Sequence, residues 1–333
     1  MKKILIFEPN SNQALSMAKY IKKYSNYYIV GVVEKEIRFN RESYDEVIIE
    51  EFLNINIDKY NYILPMGAGS TFAIVKKYQK LIYANEIFFS SKNLIVFDKP
   101  KMLKIAQNID VPIPKTFYSI ENIEHFPIYY KENFENGGGV RGIAKATSEI
   151  PEYSELIYQE YIDTPFTYGV GFLAKGGEII ASIQHKEVLS YPKDGGSAVV
   201  IESYENDKLF LYTKKLLNEV DYNGWGLAEF KYCNKRDDFV FMEINAKFWA
   251  SIEFTLKNNP LFLKKLLEIQ YQSKKENSML FINRIFQYDF VDIVKKFSYF
   301  WGKNIIKESP LVYQIVRKII PNGLVENLKR IWI

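Results

Sequence analysis

The sequence predicts an α/β protein made of a small doubly wound N-terminal domain, a larger α+β domain and a helical C-terminal tail. Near the amino terminus, two short apolar runs, KKILIF and YYIVGVV, flank a stretch whose apolar residues have helical spacing. Later runs alternate apolar and polar residues, as strands with one buried face do. The 333 residues are about twice the usual length of one domain.

Residues 1–97 are predicted to form the doubly wound domain. After the first strand, helix and strand, YNYILPM and GAGSTFAIVKKYQ repeat the order of strand, glycine turn and helix. Gly67 and Gly69 precede the second helix, where bare backbone amides could hold an anion. A tight turn between strand and helix explains the two glycines equally well.

Residues 98–283 are predicted to form the larger domain, and residues 284–333 the tail. The domain begins with a helix, PKMLKIAQNI, and a proline-rich link, VPIP, and continues with strands around the glycine cluster ENGGGVRG. We expect residues 126–162, which contain this cluster, to form a lid subdomain.

Composition excludes several classes of protein. No run reaches the roughly 18 apolar residues that a membrane-spanning helix needs, and the first apolar stretch, ILIF, is shorter than the core of a secretion signal. We therefore expect a cytoplasmic protein. The net charge of +4 gives no reason to expect nucleic-acid binding. The single cysteine, Cys233, cannot form an internal disulfide or supply a zinc cluster.

The tail is basic and aromatic. After residue 293 it carries eight lysines and arginines against two glutamates, together with two tryptophans. Two interpretations remain open. Helices over 286–300 and 311–320 pack against the body with lysines facing solvent, or the tail makes peripheral contact with an anionic membrane.

The segment from residue 224 to residue 251 predicts a β-hairpin with a polar turn centred on Arg236. This register places Glu229 opposite Glu243. One face is almost wholly apolar and should be buried, and the other face is polar and charged. The buried face is predicted to contain Ala228, Phe230, Tyr232, Val240, Met242, Ile244, Ala246 and Phe248, and the polar face Glu229, Lys231, Glu243, Asn245 and Lys247.

The opposed glutamates indicate a cation site. Two carboxylates directly across a sheet repel each other, so their placement beside the amide oxygen of Asn245 favours a shared metal ion. Mg²⁺ fits best, because it prefers oxygen ligands and keeps water or phosphate in its other positions. The alternative is a solvated face on which Lys231 and Lys247 neutralise the glutamates.

Two lysines precede features that suit phosphate binding. Lys131 ends an apolar strand and is followed by Gly137, Gly138 and Gly139, whose amides could close over phosphates. No helix-opening Gly-Lys-Ser/Thr follows, so this is not a P-loop, and a mobile turn is the simpler explanation of the glycines. Lys99 is also predicted to end an apolar strand, with Pro100 opening the next helix.

Taken in order, these segments resemble the ATP-grasp superfamily over residues 98 to about 255, in particular its carbamoyl-phosphate-synthase-like members. The matching pieces are DKPKMLKIAQNIDVPIP, FPIYYKENFENGGGVRGIAKA, YQEYI, QHKEVLSYPKDGGSA, and the hairpin strands AEFKY and MEINAKFWAS. The resemblance implies an ATP- and Mg²⁺-binding enzyme. It assigns the nucleotide phosphates to Lys99, Lys131 and the glycines Gly137, Gly138 and Gly139, the adenine to the backbone of Glu160 and Ile162, and Mg²⁺ to Glu229, Glu243 and Asn245.

The candidate catalytic residues are Arg141, His185 and Lys247. His185 is expected near the acceptor site because it lies between the hinge and the hairpin, and a purely structural histidine is the alternative. Lys247 stands where many members carry arginine, and it replaces a bidentate group with a point charge. The stretch DTPFTYG offers no glutamate for the ribose, so no ribose contact is assigned. Gly195, Gly196 and Ser197 are predicted to cradle a substrate carboxylate.

The activity implied is that of a carboxylate–amine ligase, which joins a small-molecule acid to an amine through an acyl phosphate. A role in modifying cell-surface polysaccharide or peptide is a further expectation. Two alternatives remain. The first is a grasp-fold kinase or carboxylase, and the second is a non-catalytic nucleotide-binding partner of a membrane-associated assembly.

Overall fold

The computed structural model describes residues 1–134, 139–153, 155–191, 196–285, 287, 291 and 305–307. Gly137, Gly138 and Gly195 lie outside these residues. So do the predicted tail helices, except for residues 287 and 291, and the membrane interpretation of the tail therefore stays a prediction. Within the described part of the chain, every helix is too short or too polar to span a bilayer.

The N-terminal unit confirms the predicted doubly wound arrangement. Its elements are β1 (Lys3–Phe7), α1 (Asn12–Tyr24), β2 (Tyr28–Val33), β3 (Glu46–Ile49), β4 (Tyr62–Leu64), α2 (Ala68–Tyr78), β5 (Lys80–Ile82) and β6 (Phe88–Ser90). The first four strands form a parallel sheet in the order β3-β2-β1-β4, and β5 pairs with β6. β1 is buried over Ile4–Phe7, as expected of a central parallel strand covered on both faces.

The residues before the second unit do not form the predicted strand. Residues Ser91–Phe97 form a 3₁₀-helix. Its buried residues are Asn93, Val96 and Phe97, and this spacing of three and one is helical, whereas a strand would bury every second residue. α3 (Lys99–Asn108) follows, with the Asp98 side chain capping its first turn by accepting from the Lys101 amide.

A small antiparallel sheet comes next. Its strands are β7 (Thr116–Phe117), β8 (Ile128–Glu132), β9 (Arg141–Ala144) and β10 (Leu156–Glu160), in the order β7-β10-β8-β9. The predicted glycine loop joins β8 to β9. This sheet lies within the predicted lid, residues 126–162, apart from β7.

A larger sheet completes the second unit. Its elements are β11 (Thr167–Lys175), β12 (Glu178–Tyr191), β13 (Ser197–Ser203), α4 (Asp207–Glu219), β14 (Gly224–Cys233), β15 (Asp238–Asn245), α5 (Ile252–Asn258), α6 (Leu261–Leu267), β16 (Ser278–Leu280), α7 (Ile282–Ile285) and β17 (Ile305–Lys307). The strand order is β15-β14-β11-β12-β13-β16-β17. Its pairs are antiparallel except for β16 and β17, which are parallel.

The β14–β15 hairpin has the predicted register where it carries the glutamates, because Glu229 pairs with Glu243. A β-bulge between Glu229 and Phe230 then shifts the pairing by one residue toward the turn. Val240 is buried as predicted, but it does not join the main core: it and the half-buried Met242 pack with Ile162 and Cys233 in a separate cluster. Phe239 and Phe241 join Phe230 in the main core instead. One extra residue in a strand reverses the faces beyond it.

Gly171 on β11 makes room for a buried tryptophan, which gives a testable prediction. A β-carbon at this position would lie 2.4 Å from Cζ2 of Trp249. The indole cannot easily move, since its Nε1 donates to Thr255 Oγ1 at 3.1 Å and its ring packs edge-on against Phe262. We expect Gly171→Ala to lower the free energy of unfolding by about 1–3 kcal/mol, measured by urea denaturation.

The smaller ring of Trp249→Phe should recover part of that loss in the double variant. A Gly171→Ala protein as stable as the wild type would show that this close packing is not as the structure describes it.

Candidate active site

A cavity of about 390 Å³ lies between the small sheet and the large sheet. Both sheets and the segment that joins them supply its walls. The predicted site residues that line it are Lys131, Arg141, Glu160, Ile162, His185, Gly196, Ser197, Glu229, Glu243, Asn245 and Lys247. The fold thus gathers residues that are up to 116 positions apart in the sequence, Lys131 and Lys247.

Lys131 and Lys99 are both buried, with 4% and 6% exposure. The start of α3 is tied to the end of β8, because the Lys99 amide donates to the Asn133 carbonyl at 2.9 Å. Lys131 Nζ donates to the Met242 carbonyl at 2.9 Å and lies 3.5 Å from Glu243 Oε2. Burial lowers the pKa of Lys131, Glu243 opposes that shift, and Lys99 adds to it. Two ammonium groups close together suit a ligand with several negative charges.

Lys99 reaches the site from the other side. It lines a small neighbouring cavity together with Glu243, Asn245, Lys247 and Ala68, the first residue of α2. This places the start of α2 next to Glu243. Lys99 does not line the main cavity, but from this position its positive charge acts on Glu243, which does.

Asn245 lies between the two opposed carboxylates. Its Nδ2 donates to Glu229 Oε2 at 3.0 Å and to Glu243 Oε1 at 3.2 Å. Burial raises the pKa of Glu229, and the negative charge of Glu243 raises it further. Burial opposes ionisation of Glu243 too, but Lys131 and Lys99 outweigh it and lower the pKa of Glu243. Of the pair, Glu243 therefore carries the charge and Glu229 holds its proton more tightly.

This donor set fits Mg²⁺ in chemistry, although it is small. Among the described residues, no group of three or more His, Cys, Asp or Glu side chains is placed to hold a metal. Two carboxylates and an amide supply three hard oxygen ligands once Asn245 turns its Oδ1 inward, and Mg²⁺ commonly takes its other ligands from phosphates and water. A divalent cation would also favour ionisation of Glu229 and so remove the repulsion of the pair.

The opposite end of the cavity is apolar and suits a flat ring. Ile162 is 6% exposed and packs with Val240 and Met242. Glu160 ends β10, and its carboxylate is held by Arg236 from the hairpin turn and by the Lys115 amide at 2.8 Å. These contacts tie the small sheet to the hairpin at the place where the predicted adenine contacts lie. Met242 was not predicted here, because only the bulge turns it toward the cavity.

His185 is 3% exposed on β12, and its ring covers Gly169 of β11, where a β-carbon would lie 2.4 Å from Cε1. Its Nδ1 is buried and has no hydrogen-bond partner among the described residues. Burial lowers the pKa of His185 to about 4. Two residues further along β12, burial raises the pKa of Glu187 to about 7, and Ser190 moderates this by donating a hydrogen bond. Both groups line the cavity, where His185 is neutral at neutral pH and Glu187 is only partly ionised.

His185 and Glu187 should make opposite contributions to the pH dependence of stability. The unfolded imidazole binds a proton below pH 6.5 whereas the folded one does so only near pH 4, so stability is lost as pH falls through that window. The folded Glu187 keeps its proton up to about pH 7 while the unfolded group loses it from pH 4.5, so stability is lost as pH rises through that window.

We expect the two effects to offset each other in the wild type. Glu187→Gln should therefore make unfolding free energy fall more steeply as pH is lowered, and His185→Gln should make it fall as pH is raised. One proton contributes at most about 1.4 kcal/mol per pH unit. Urea unfolding between pH 4.5 and pH 7 measures both slopes, and slopes of the same sign in the two variants would refute the assignment.

The far end of the cavity contains polar groups that sequence reasoning only partly found. Gly196 and Ser197 line it as predicted for a substrate loop. Arg284 of α7 lines it too, with Nη1 donating to the Ala198 carbonyl and the guanidinium 4.3 Å from the centre of the Phe281 ring. A fixed guanidinium suits a carboxylate ligand. Arg284 was missed because it lies outside every quoted motif, one residue beyond the predicted end of the domain at residue 283.

The glycines of the α2 turn do not leave an open anion site. The Glu8 carboxylate lies at this turn, where Ser70 Oγ donates to Glu8 Oε2 at 2.9 Å. A β-carbon on Gly67 would lie 2.2 Å from the same oxygen. The interpretation of Gly67 and Gly69 as a place for an external anion is therefore wrong, because an internal carboxylate already lies there. Gly139 also makes room for an internal carboxylate, since a β-carbon there would lie 2.7 Å from the Glu132 carboxylate.

Comparison with known proteins supports the fold. No protein-family model matches the chain, and no curated protein sequence matches it. Solved structures do. The N5-carboxyaminoimidazole synthetase of Staphylococcus aureus, complexed with ADP, has a TM-score of 0.64 at 11% identity, covering 95% of this chain and 96% of that one.

Two further structures are similar at the same level. The L-amino acid ligase of Bacillus licheniformis has a TM-score of 0.60 at 10% identity and covers 80% of this chain and 73% of that one. A biotin carboxylase–ATP complex from Campylobacter jejuni has a TM-score of 0.60 at 16% identity and covers 83% and 74%. The chain therefore has the fold of these enzymes, which is the ATP-grasp fold that its sequence resembles.

Proposed function

We propose that the protein is an ATP- and Mg²⁺-dependent carboxylate–amine ligase. The observation that carries the proposal is the pairing of Glu229 with Glu243, bridged by Asn245, beside the buried Lys131. A structural role explains this arrangement poorly, because two adjacent half-buried carboxyl groups and a buried ammonium group all cost free energy to desolvate.

The arrangement suits a nucleoside triphosphate lying along the cavity. Ile162 and Met242 would pack against the adenine, and the backbone of Glu160 and Ile162 would meet its polar edge. Lys131 and Lys99 would contact the phosphates. The names and titles of three structural neighbours, a ligase, an ADP complex and a β-γ-ATP complex, support the binding of a nucleotide by this fold.

Glu229, Glu243 and Asn245 would hold Mg²⁺. When bound, the metal neutralises charge on the phosphates and orients them. The chain's own lysines share that task. Lys131 and Lys99 hold positive charge in a desolvated place, where it acts more strongly than in water. Lys247, which lowers the pKa of Glu243 together with those two lysines, would face the transferred phosphoryl group.

Ligation would proceed in two steps. First, a carboxylate oxygen of the acid bonds to the γ-phosphorus while the bond from that phosphorus to the oxygen of ADP breaks. Then the amine nitrogen bonds to the carbonyl carbon, and phosphate and a proton leave. Neither step needs a protein nucleophile. The fixed guanidinium of Arg284 and the amides near Gly196 and Ser197 would orient the acid, while the neutral His185 would keep its side of the cavity free of charge.

The test is an assay for ADP release with pooled acids and pooled amines. N-acetylated amino acids and uronic acids are the first acids to try, since the expected role is in cell-surface polysaccharide or peptide modification and acetylation prevents the acids from also serving as amines. ADP should form only when both pools are present. With ¹⁸O in the carboxylate, one labelled oxygen should appear in the released phosphate, because that oxygen leaves with the phosphoryl group.

The alternatives give different results. A kinase would release ADP with a hydroxyl acceptor and no amine, and a carboxylase would require bicarbonate. A protein that binds ATP but releases no ADP with any pool would have a non-catalytic role. Each of these outcomes would overturn the ligase proposal.

A further inference from the structure

A second cavity, of about 380 Å³, lies between α1, α5 and the segment that precedes β16. It is nearly as large as the nucleotide cavity and shares no residue with it. We name it the lysine cavity. Its walls are formed by Lys19, Tyr20, Lys23, Tyr24, Glu253, Lys257, Gln272, Ser273, Lys274 and Glu276.

The charges of the lysine cavity do not balance internally. Glu253 is 4% exposed, accepts from Ser16 Oγ at 3.3 Å and lies 3.6 Å from Lys19 Nζ, so these two charges neutralise each other. The remaining charged side chains of the cavity are three lysines, Lys23, Lys257 and Lys274, and one carboxylate, Glu276. Within the described ranges, none of these three lysines forms an ion pair. Three ammonium groups around one cavity repel one another unless an anion joins them.

Glu276 adds a second, different signal. Its backbone amide donates to Asn258 Oδ1 at 2.9 Å, which fixes the residue at the cavity wall. Its carboxylate oxygen Oε2 is buried, with no hydrogen-bond donor among the described residues. A buried acceptor without a donor costs free energy. A ligand that carries a hydroxyl or amine group would supply the missing hydrogen bond.

Helix ends account for only part of this arrangement. Lys23 and Lys257 lie in the last turns of α1 and α5, where a positive charge complements the helix dipole. That preference does not explain why the two helix ends meet Lys274 at one cavity. Tyr24, which forms part of the cavity wall, is held in place because its ring stacks on that of Tyr271, with the ring centres 4.7 Å apart.

We propose that the lysine cavity binds a small phosphorylated metabolite that carries hydroxyl groups, such as a sugar phosphate. Its phosphate would lie among Lys23, Lys257 and Lys274, and a hydroxyl would donate to Glu276. The volume lies within the range of about 300–1,000 Å³ that is usual for small-molecule sites. Nothing in the proposed ligase reaction uses these residues.

The position of the cavity gives such binding a consequence. α1 belongs to the N-terminal unit and α5 to the second unit, and the contacts of Glu253 with Ser16 and Lys19 join them. α5 directly follows Trp249 and Ser251, which line the nucleotide cavity. A bound ligand would therefore hold the two units together at α5, next to residues that line the nucleotide cavity.

The experiment is calorimetric titration of the full chain, in EDTA, with fructose 1,6-bisphosphate, inorganic pyrophosphate and fructose. The wild type should bind the sugar bisphosphate saturably and fructose not at all. Lys257→Gln/Lys274→Gln should bind it about tenfold more weakly or worse, since two charge-assisted contacts are lost. Glu276→Gln should lower the ratio of the affinity for the sugar bisphosphate to the affinity for pyrophosphate.

Two control variants make the result specific. Lys264→Gln/Lys275→Gln removes the same charge from exposed positions that do not line the cavity, and Lys131→Met alters the nucleotide cavity. Both should bind the sugar bisphosphate as the wild type does, and melting temperatures should show that all variants fold. Absence of saturable binding by the wild type overturns the proposal. So does equal weakening in the exposed-lysine control, or loss in Lys131→Met with retention in Lys257→Gln/Lys274→Gln.

Discussion

Replacing Glu243 with glutamine is expected to reduce ATP turnover at least about a hundredfold, because it removes the carboxylate that is charged in the folded protein and so the strongest ligand for Mg²⁺. Glu229→Gln should have a similar effect on turnover. The measurement is ADP release at saturating ATP and Mg²⁺, with the acid and amine identified by the pooled assay. Either variant at full activity would refute the metal site.

The two variants should differ in stability without metal. Burial and Glu243 raise the pKa of Glu229, so a neutral glutamine there relieves a cost, and the melting temperature should stay the same or rise. Glu243 is the partner of the buried Lys131, so Glu243→Gln leaves an ammonium group without a counter-charge and should lower the melting temperature. Equal melting temperatures would mean that Lys131 does not depend on Glu243.

Replacing Lys131 with methionine is expected to weaken nucleotide binding about a hundredfold, the second-largest effect. The ammonium group is buried, so its attraction for phosphate is poorly screened by water. Titration with ADP and Mg²⁺ measures the loss. Lys145→Met is the matched control, because Lys145 is exposed just after β9 in the same sheet, and it should bind as the wild type does.

Lys131→Met with unchanged nucleotide affinity would place the phosphates elsewhere. Equal weakening in both lysine variants would indicate a general effect of net charge rather than a contact in the cavity.

The sequence could predict the parts of the site that depend on local patterns. The pairing of Glu229 with Glu243 followed from counting residues on either side of the turn, and it is confirmed. The same counting predicted the burial of Val240 but placed Val240 and Met242 on the wrong side of the strand, because a bulge has no reliable sequence signal and reverses the faces beyond it. The adenine end of the cavity was therefore only partly visible.

Other parts depend on contacts between distant segments. The 3₁₀-helix before Lys99 resembles a strand in composition. Only its contacts with the second unit explain its conformation, such as the hydrogen bond that the Asn93 side-chain Nδ2 donates to the Asn223 carbonyl. Arg284 belongs to no motif, and Glu187 lies within the matched segment QHKEVLSYPKDGGSA but was assigned no role there, so their approach to the cavity was not predicted. The contact of Glu8 with the α2 turn could not be predicted either, since its carboxylate reaches that turn only in the folded protein.

The central claim is that Glu229, Glu243 and Asn245 hold a metal ion against the phosphates of ATP. A crystal structure of the full chain with Mn²⁺ and a non-hydrolysable ATP analogue tests it most directly, because Mn²⁺ replaces Mg²⁺ and scatters anomalously. The account predicts an anomalous peak between the Glu229 and Glu243 carboxylates, with the phosphates beside Lys131. Nucleotide bound in this cavity with no metal at these residues, or nucleotide bound elsewhere, would contradict it.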